Sequence, residues 1–403
     1  MRKILLITTK YPTGEGEAWL TNELAECFAS NGDEVAVVVL SWEYSDGASG
    51  FISLNGVDIH RVRLWKFLYS KSFIMPILKI FLFSLLARVK CRGVMNKADI
   101  IVGTTPCIAV WALVDSLGFK SNARKFLILW DFFPFYMKGL WGKGRNILFN
   151  FLYKWENRLY NKFDVIGCMT DESIKFLCDK YTLPSPAVIK LPLWAKQVDR
   201  VKLTDAEKLN IRIRYNISTD AFVSVYGGAM TKIQGLDNII DLAAKLHSSS
   251  QFQFVLVGRG PELARLKNRV LTESVPNVVF VDYVPRDEYE LLIASCDVGL
   301  VSLSGKHEVP SFPSKSIDYL KVGLPILASI DKTTEFGEIL CNEMKAGLWA
   351  ESGDHEAMAN ILNLFFSDPE YLKRLSENGR KYFEDQMNVI NAVNDIVNAC
   401  EVI

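Results

Sequence analysis

Short apolar runs alternate with helical patterns along most of this chain, and that alternation constrains the fold more than any other feature. Gly32–Leu40 (GDEVAVVVL) contains a continuous apolar run, as expected of a strand that is buried on both faces. Residues 4–8, 99–106, 125–131 and 164–169 have the same character. Strands that alternate with helices in this way predict an α/β fold with a doubly wound parallel sheet.

The alternation stops at Thr182–Trp194, a segment with three prolines that we interpret as a linker, and then begins again. Five further apolar runs, separated by helical patterns, follow between residues 222 and 329. A length of 403 residues also favours two domains. We therefore predict two Rossmann-like domains facing a central cleft, residues 1–190 and 191–375, and a helical tail, 376–403, that packs back toward the first domain.

Charge is divided unevenly between the two halves. The formal net charge is zero, but residues 1–199 hold 25 Lys and Arg against 18 Asp and Glu, whereas the remainder holds 21 against 28. Arg61–Lys97 contains nine basic residues, no acidic one and many aromatic and aliphatic side chains. This composition predicts contact with an anionic membrane surface, although a core helix with a solvated basic face has the same composition. No recognition motif for nucleic acid accompanies these charges.

Cysteine and histidine usage indicates the compartment. The eight cysteines form no Cys-x-x-Cys pair, and the four histidines have no metal-ligand spacing. This pattern predicts reduced thiols rather than a disulfide framework or a zinc site. The N-terminal apolar run is too short for a signal peptide, and Lys71, Pro76 and Lys79 interrupt the roughly 20 apolar residues that a bilayer crossing requires. We expect a cytoplasmic protein that associates peripherally with the inner face of the plasma membrane.

Loops after predicted strands carry the candidate chemistry. Gly14 and Gly16 follow the first strand, where glycines allow backbone N–H groups to approach a phosphate, although an ordinary turn has the same composition. Gly228 ends a later strand and is followed by Lys232, which either neutralises a diphosphate or is solvated. Arg259 lies between two glycines at the end of the next strand.

A helix start follows Glu308. Ser314 can cap this helix, and the helix dipole together with Lys315 predicts an anion site. Asp318 lies one turn further and can accept hydrogen bonds from a ribose diol. The chain contains no Asp-x-Asp pair, the kind of pair that holds a divalent ion on a diphosphate. We therefore predict charge neutralisation by side chains and dipoles, with no metal and no other cofactor.

Five motifs occur in the order YPTGEGEAWLTNELAECFASNGDEV, YGGAMTKIQGLDNIIDLAAKL, FVLVGRGPEL, VVFVDYVPRDEYELLIASCDVGLVSL and FPSKSIDYLKVGLPILAS. In order and spacing they resemble the motifs of retaining glycosyltransferases of family 4, of the bacterial surface-polysaccharide type, and the resemblance covers the whole chain. The last motif is similar to a Pro-Ser-Lys variant of the family's donor helix. The resemblance implies the GT-B fold, with an acceptor-binding first domain and a second domain that binds a nucleotide sugar.

The resemblance also implies roles for individual residues. Lys232 and Lys315 would hold the donor diphosphate, and Asp318 would hold the ribose. Other donor-side positions are Gly14, Gly16, Gly228, Arg259, Tyr283, Val284 and Ser314, with the backbone of Tyr283 and Val284 flanking the nucleobase. Glu17 and Asp131 would lie near the acceptor, although Asp131 could equally cap a turn.

Two departures from the family pattern affect this assignment. The family's phosphate-binding Arg and Lys lie one and six residues past the glycine, where this chain has Ala229 and Gln234, so Lys232 is predicted to substitute. The donor motif usually has two glutamates eight residues apart, but Pro310 occupies the first position. Glu308 is the available replacement, and we group it with the two lysines as a catalytic candidate.

These implications predict a retaining, metal-independent glycosyltransferase that uses a nucleotide diphosphate sugar, with UDP as the favoured nucleotide. Its acceptor would be lipid-linked or an oligosaccharide, in the synthesis of O-antigen, capsule or exopolysaccharide. Two alternatives stay open at this point: a non-hydrolysing sugar-nucleotide epimerase and a non-catalytic, membrane-associated scaffold of the same fold.

Overall fold

A computed structural model describes residues 1–14, 19–70, 74–117, 122–136, 146–247, 251–304, 309–332 and 334–402. The chain divides into two compact units, one formed by Met1–Lys196 with Val389–Ile403 and the other by Gln197–Asn388. Each unit is built on one largely parallel sheet with helices in the connections, as the alternation of the sequence predicts.

The sheet of the first unit has eight strands in the order β3-β4-β2-β1-β5-β6-β7-β8. All neighbours pair in parallel except β3, which is antiparallel to β4. Most of these strands are apolar on both faces because helices and connections cover the sheet. Their bounds are β1 Lys3–Thr8, β2 Glu34–Leu40, β3 Gly50–Leu54, β4 Val57–Val62, β5 Ile100–Thr104, β6 Arg124–Leu129, β7 Val165–Cys168 and β8 Ala187–Lys190.

The described residues of the first unit form six α-helices. The last of them comes from the C-terminus of the chain and packs on α1, where Val393 and Ile396 join Leu24 and Phe28 in one core. The helices are α1 Leu20–Ser30, α2 Ile74–Met95, α3 Trp111–Leu117, α4 Asn146–Tyr160, α5 Asp171–Lys180 and α14 Val389–Val402.

The proline-rich segment Thr182–Trp194 is part of the first unit, so interpreting it as a linker was wrong. β8 lies inside it and pairs with β7 alone, at the edge of the sheet. An edge strand tolerates prolines at its ends because only one side needs backbone donors. Trp194 is fully buried and donates its indole N–H to the carbonyl oxygen of Leu20 at 2.9 Å.

Among the described basic residues of Arg61–Lys97, Arg61 and Lys79 point into the first unit. Arg61 is buried and donates to the carbonyl oxygen of Tyr11 at 2.7 Å. Lys79 is buried, donates to the carbonyl oxygen of Trp42 at 3.0 Å and lies 4.6 Å from the centre of that indole ring. These two charges are unavailable to a membrane, because they satisfy carbonyl oxygens of neighbouring loops. Within the described part of the segment, the exposed basic residues are Lys66, Arg88, Lys90, Arg92 and Lys97.

The second unit has a six-stranded, wholly parallel sheet in the order β11-β10-β9-β12-β13-β14. The strands are β9 Phe222–Gly227, β10 Phe252–Val257, β11 Val278–Val281, β12 Val298–Ser302, β13 Ile326–Ile330 and β14 Gly347–Glu351. The helices are α6 Asp205–Arg214, α7 Asp237–Leu246, α8 Leu263–Thr272, α9 Arg286–Ala294, α10 Lys315–Val322, α11 Phe336–Glu338, α12 His355–Ser367 and α13 Pro369–Gln386. The predicted limit at residue 375 lies within α13, which continues unbroken to Gln386 and packs on α10.

Candidate functional site

The carboxyl ends of four adjacent strands, β11, β10, β9 and β12, meet at one edge of the second sheet. The loops after β9 and β10 lie against each other, with the Gly228 N–H donating to the Val257 carbonyl oxygen at 3.0 Å. Ligands of parallel α/β sheets bind at such an edge. Of the predicted site residues, Gly228, Arg259, Tyr283, Lys315 and Asp318 all lie there.

Tyr319 fixes α10 to this edge. Its hydroxyl accepts a hydrogen bond from the Gly227 N–H at 3.0 Å and lies 3.2 Å from the carbonyl oxygens of Val225 and Leu300, one on β9 and one on β12. Tyr319 is fully buried, and a Cβ at Gly299 would come within 2.6 Å of its ring. Tyr319 was not predicted from the sequence as a site residue, although it anchors the helix that carries Lys315 and Asp318.

The ammonium group of Lys315 is held at the end of β9. Its Nζ donates to Oε1 of Gln234 at 2.6 Å and lies 5.1 Å from the centre of the Tyr226 ring. Its aliphatic stem passes close to Gly228, where a Cβ would lie 3.5 Å from Cε of Lys315. Burial lowers the pKa of Lys315 to about 8. The described residues thus set a neutral amide and a ring face, rather than a carboxylate, against this cation.

Gln234 was treated as a loss in the sequence analysis, because the family pattern has a lysine there. The structure shows that its amide oxygen meets the ammonium of Lys315 and lies 3.1 Å from the hydroxyl of Tyr226. Lys232, the predicted substitute, is exposed in the 3₁₀ turn Lys232–Gln234. Its role in diphosphate binding stays a prediction.

Ser314 stands at the N-cap position of α10, but its side chain forms no cap hydrogen bond and is exposed, so the predicted side-chain cap was wrong. Ser314 already has helical backbone angles, whereas a residue whose side chain caps a helix typically has extended ones. Ser316 instead donates its hydroxyl to the Pro313 carbonyl oxygen at 2.7 Å, and its backbone N–H donates to the same oxygen at 3.0 Å. Lys315, rather than a serine cap, is therefore the main anion-attracting group of this helix start.

Asp318 lies one turn into α10 with 30% of its side chain exposed. Burial raises the pKa of its carboxyl, and Arg286, whose Nη2 lies 3.9 Å from Oδ1 of Asp318, opposes that rise. Arg286 begins α9, directly after the loop that contains Tyr283 and Val284, and the sequence analysis did not single it out. The arginine can orient the carboxylate for a diol or take a phosphate oxygen itself.

Arg259 and Tyr283 meet at the outer end of the same edge. The Nε of Arg259 donates to Oδ1 of Asp282 at 2.7 Å, and its guanidinium lies 5.3 Å from the centre of the Tyr283 ring. The hydrogen bond from Arg259 lowers the pKa of Asp282. Tyr283 is exposed and Val284 is buried. A planar base could stack or pair along this loop.

Several predicted positions lie elsewhere. Gly16, Glu17 and Glu308 lie outside the described residues. Gly14 is exposed in the loop after β1 in the first unit.

Asp131 follows β6 in the first unit, and its backbone N–H donates to Oγ1 of Thr105 at 3.3 Å. Its side chain is exposed, yet the surrounding protein displaces enough water to raise the pKa of its carboxyl. Nearby, the buried carboxyl of Glu156 accepts hydrogen bonds from the backbone N–H groups of Cys107 and Ile108 at 2.7 and 2.9 Å.

No group of three or more His, Cys, Asp or Glu side chains in the described ranges is arranged to hold a metal ion.

Residues 207–382, which run from α6 to α13, match the family model for glycosyl transferases group 1. This segment is a group 1 glycosyltransferase domain. Gly228, Arg259, Lys315 and Asp318 all lie within it, so the edge described above belongs to the group 1 domain.

Sequence similarity to two named proteins extends beyond this domain. The chain is 25% identical over 295 residues to the probable glycosyltransferase WbjE of Pseudomonas aeruginosa, covering 71% of this chain and 70% of that protein. It is 24% identical over 247 residues to the putative colanic acid biosynthesis glycosyl transferase WcaI of Escherichia coli K12, covering 60% of each.

Solved structures match the whole length of the chain. Sucrose-phosphate synthase of Thermosynechococcus elongatus matches with a TM-score of 0.75 and 16% identity, covering 100% of this chain and 99% of that one. Anabaena Alr3699/HepE in complex with UDP and glucose matches with a TM-score of 0.73 and 14% identity, covering all of both chains. The group 1 domain and the first unit thus have the GT-B fold.

Proposed function

We propose that this protein is a retaining glycosyltransferase that transfers a sugar from a nucleoside diphosphate sugar, with UDP as the nucleotide, to a hydroxyl group. The observation that carries this proposal is the ammonium of Lys315, held against a neutral amide at the strand ends of a group 1 domain. A partly desolvated cation without a carboxylate partner attracts an anionic ligand. The complex of HepE with UDP and glucose supports a diphosphate as that anion.

The chemistry assigned to the site is stabilisation of a leaving group. Lys315 and Lys232 would neutralise the departing diphosphate, and Asp318 would accept hydrogen bonds from the ribose while Tyr283 and Val284 flank the base. The acceptor oxygen would attack the anomeric carbon on the face that the diphosphate leaves, and its proton would pass to a phosphate oxygen. This route retains the anomeric configuration and needs no nucleophile from the protein. Glu308, Ser314, Gly14 and Gly16 complete the proposed donor side.

On the acceptor side we propose a lipid-linked or oligosaccharide acceptor near Glu17 and Asp131, in the synthesis of a bacterial surface polysaccharide. The name of WcaI, a putative colanic acid biosynthesis enzyme, supports this setting. The exposed basic residues of Arg61–Lys97 support a location at the inner face of the plasma membrane.

A turnover assay tests the proposal. Purified protein is mixed with a panel of nucleotide sugars and a membrane extract, and release of nucleoside diphosphate is followed with and without a chelator. We expect release that needs both donor and extract and that persists with the chelator. Absence of nucleoside diphosphate release with every donor would favour a non-catalytic scaffold. Conversion of the sugar nucleotide without release would favour an epimerase. Complete loss of release in the presence of the chelator would refute the metal-free mechanism.

The affinity for UDP is expected to fall as the pH rises through about 8. The free protein loses the proton of Lys315 near that pH, whereas a bound diphosphate favours the charged form. Above pH 8 binding should therefore take up a proton, and affinity should decline by up to about tenfold per pH unit. Calorimetric titration between pH 7 and 9.5, above the phosphate's own titration near pH 6, measures this.

The matched control for this titration is Lys315→Arg, which stays charged throughout the window and should remove the decline. An affinity of the unmodified protein that does not change from pH 7 to 9.5 would show that Lys315 does not meet the diphosphate.

A further inference from the structure

The helix α2 is apolar on two opposite faces. Phe83, Ala87 and Cys91 are buried on one face, against the first unit. The opposite face exposes five large apolar side chains that recur at helical spacing: Ile77, Leu78, Phe81, Leu85 and Val89. A surface helix needs only one apolar face to pack on its own domain. The exposed apolar face of α2 is therefore free to bind an apolar environment outside the domain.

The exposed face of α2 is continuous with exposed apolar side chains on α4, which lies outside the basic segment found in the sequence. Ile147 is 86% exposed and Phe151 is 57% exposed. The ring of Trp155 lies 5.7 Å from that of Phe81 and 5.6 Å from that of Phe151, so it joins the two helices. The ring of Trp111, on α3, packs against this junction, 6.0 Å from the ring of Phe81 and 5.7 Å from that of Trp155. Such ring distances are those of packed aromatic pairs.

Basic side chains continue the exposed face of α2 toward its C-terminus. Arg88 and Arg92 follow Leu85 at spacings of three and four, which places them on the same face of the helix. Lys154 is exposed on α4. No acidic residue occurs between Asp58 and Asp99. Apolar side chains bordered by cations match a bilayer whose headgroups are anionic.

We propose that α2 and α4 form one bilayer-docking surface, in which Ile77, Phe81, Leu85, Ile147 and Phe151 enter an anionic membrane and Arg88, Arg92 and Lys154 contact its headgroups. No helix in the described ranges is long and apolar enough to cross a membrane. In the proposed arrangement both helices lie in the plane of the interface. The inference deepens the membrane location given under the proposed function, but it does not depend on catalysis.

Vesicle binding by the full chain tests the surface. The variant Ile147→Ser/Phe151→Ser changes only α4, and its matched control, Ile213→Ser/Leu271→Ser, changes two apolar residues of the second unit that are 59% and 77% exposed. On phosphatidylcholine vesicles containing phosphatidylglycerol, the α4 variant should bind at least about tenfold more weakly than the unmodified protein. The control should bind as the unmodified protein does. Arg88→Ser/Arg92→Ser should weaken binding and reduce its dependence on salt.

Equal vesicle binding by the α4 variant and the unmodified protein would overturn the proposal, as would equal binding to pure phosphatidylcholine. Sedimentation measures the oligomeric state of the same proteins. If the unmodified protein dimerises without binding vesicles and the α4 variant is monomeric, the surface is a contact between two copies of the chain, and the proposal is overturned. UDP affinity, measured on every variant, should be unchanged. Loss of vesicle binding with intact UDP binding in the α4 variant supports the surface, whereas failure of the unmodified protein to bind UDP counts against the proposed function alone.

Discussion

Replacing Lys315 by alanine is expected to lower the affinity for UDP roughly 10- to 150-fold, because a charge-assisted contact with a phosphate contributes about 1.5–3 kcal/mol. The fold should persist, since the change removes a partly desolvated charge and leaves Tyr319 in place to anchor α10. Lys232→Ala is the comparison within the site: Lys232 is proposed to share the diphosphate, but it is exposed, so solvent screens its contact and its loss should cost less than about fivefold. Calorimetric titration gives the affinities, and thermal unfolding checks the fold. Equal losses for the two lysines, or none for Lys315, would contradict the assignment.

The contact between Lys315 and Gln234 makes a second variant informative. The Nζ of Lys315 and the Oε1 of Gln234 lie 2.6 Å apart, so an amine carried from either side reaches nearly the same point. The single change Lys315→Gln should bind UDP as poorly as Lys315→Ala. Adding Gln234→Lys should restore the affinity to within about tenfold of the unmodified protein. If the double variant binds UDP no better than Lys315→Gln alone, a positive charge at this point is not sufficient, and binding requires the amine to be carried by α10.

The second large effect is expected at Gly258. This residue has a φ of +132°, and a Cβ added to it would lie 2.1 Å from the carbonyl oxygen of Gly228. Gly258→Ala should therefore lower the free energy of unfolding of the second unit by about 3 kcal/mol or more, because backbone strain and a backbone clash add. It should also weaken UDP binding, since the displaced Gly228 lies beside Lys315. Urea unfolding followed by circular dichroism measures the first effect and calorimetry the second.

Gly353 provides the matched control in the same unit. Its φ is +94°, but a Cβ there meets no atom within 4 Å. Gly353→Ala should lower the free energy of unfolding by only about 1 kcal/mol and leave UDP binding unchanged. Similar losses for the two variants would show that the loops after β9 and β10 are less tightly packed than described.

The central strands of both sheets could be predicted from the sequence because parallel strands buried on both faces leave long apolar runs, as in Gly32–Leu40. The strands β3, β4 and β14, which lie at or next to sheet edges, were not predicted. β8 was missed because it is a short edge strand enclosed by prolines, and composition alone favours a linker there. Arg61 and Lys79 were counted as surface charges because a count of charges does not show which way a side chain points. The carbonyl oxygens that accept from them belong to loops that lie close in space but 50 and 37 residues away in the sequence.

The candidate site was predictable only where a short motif carries it. Lys315 and Asp318 share one helical turn, so both could be found together. Tyr319 and Gln234 act through contacts that span 92 and 81 residues, and such pairings leave no local pattern. Ser314 matched the residue type of a helix cap, but its backbone angles are helical rather than extended and its side chain forms no cap hydrogen bond.

A crystal structure determined with UDP bound is the most direct measurement of the central claim. We predict a diphosphate oxygen within hydrogen-bonding distance of Nζ of Lys315, beside Gly228, with the ribose hydroxyls directed at Asp318. A diphosphate bound elsewhere, with the Nζ of Lys315 still donating only to Gln234, would contradict the account.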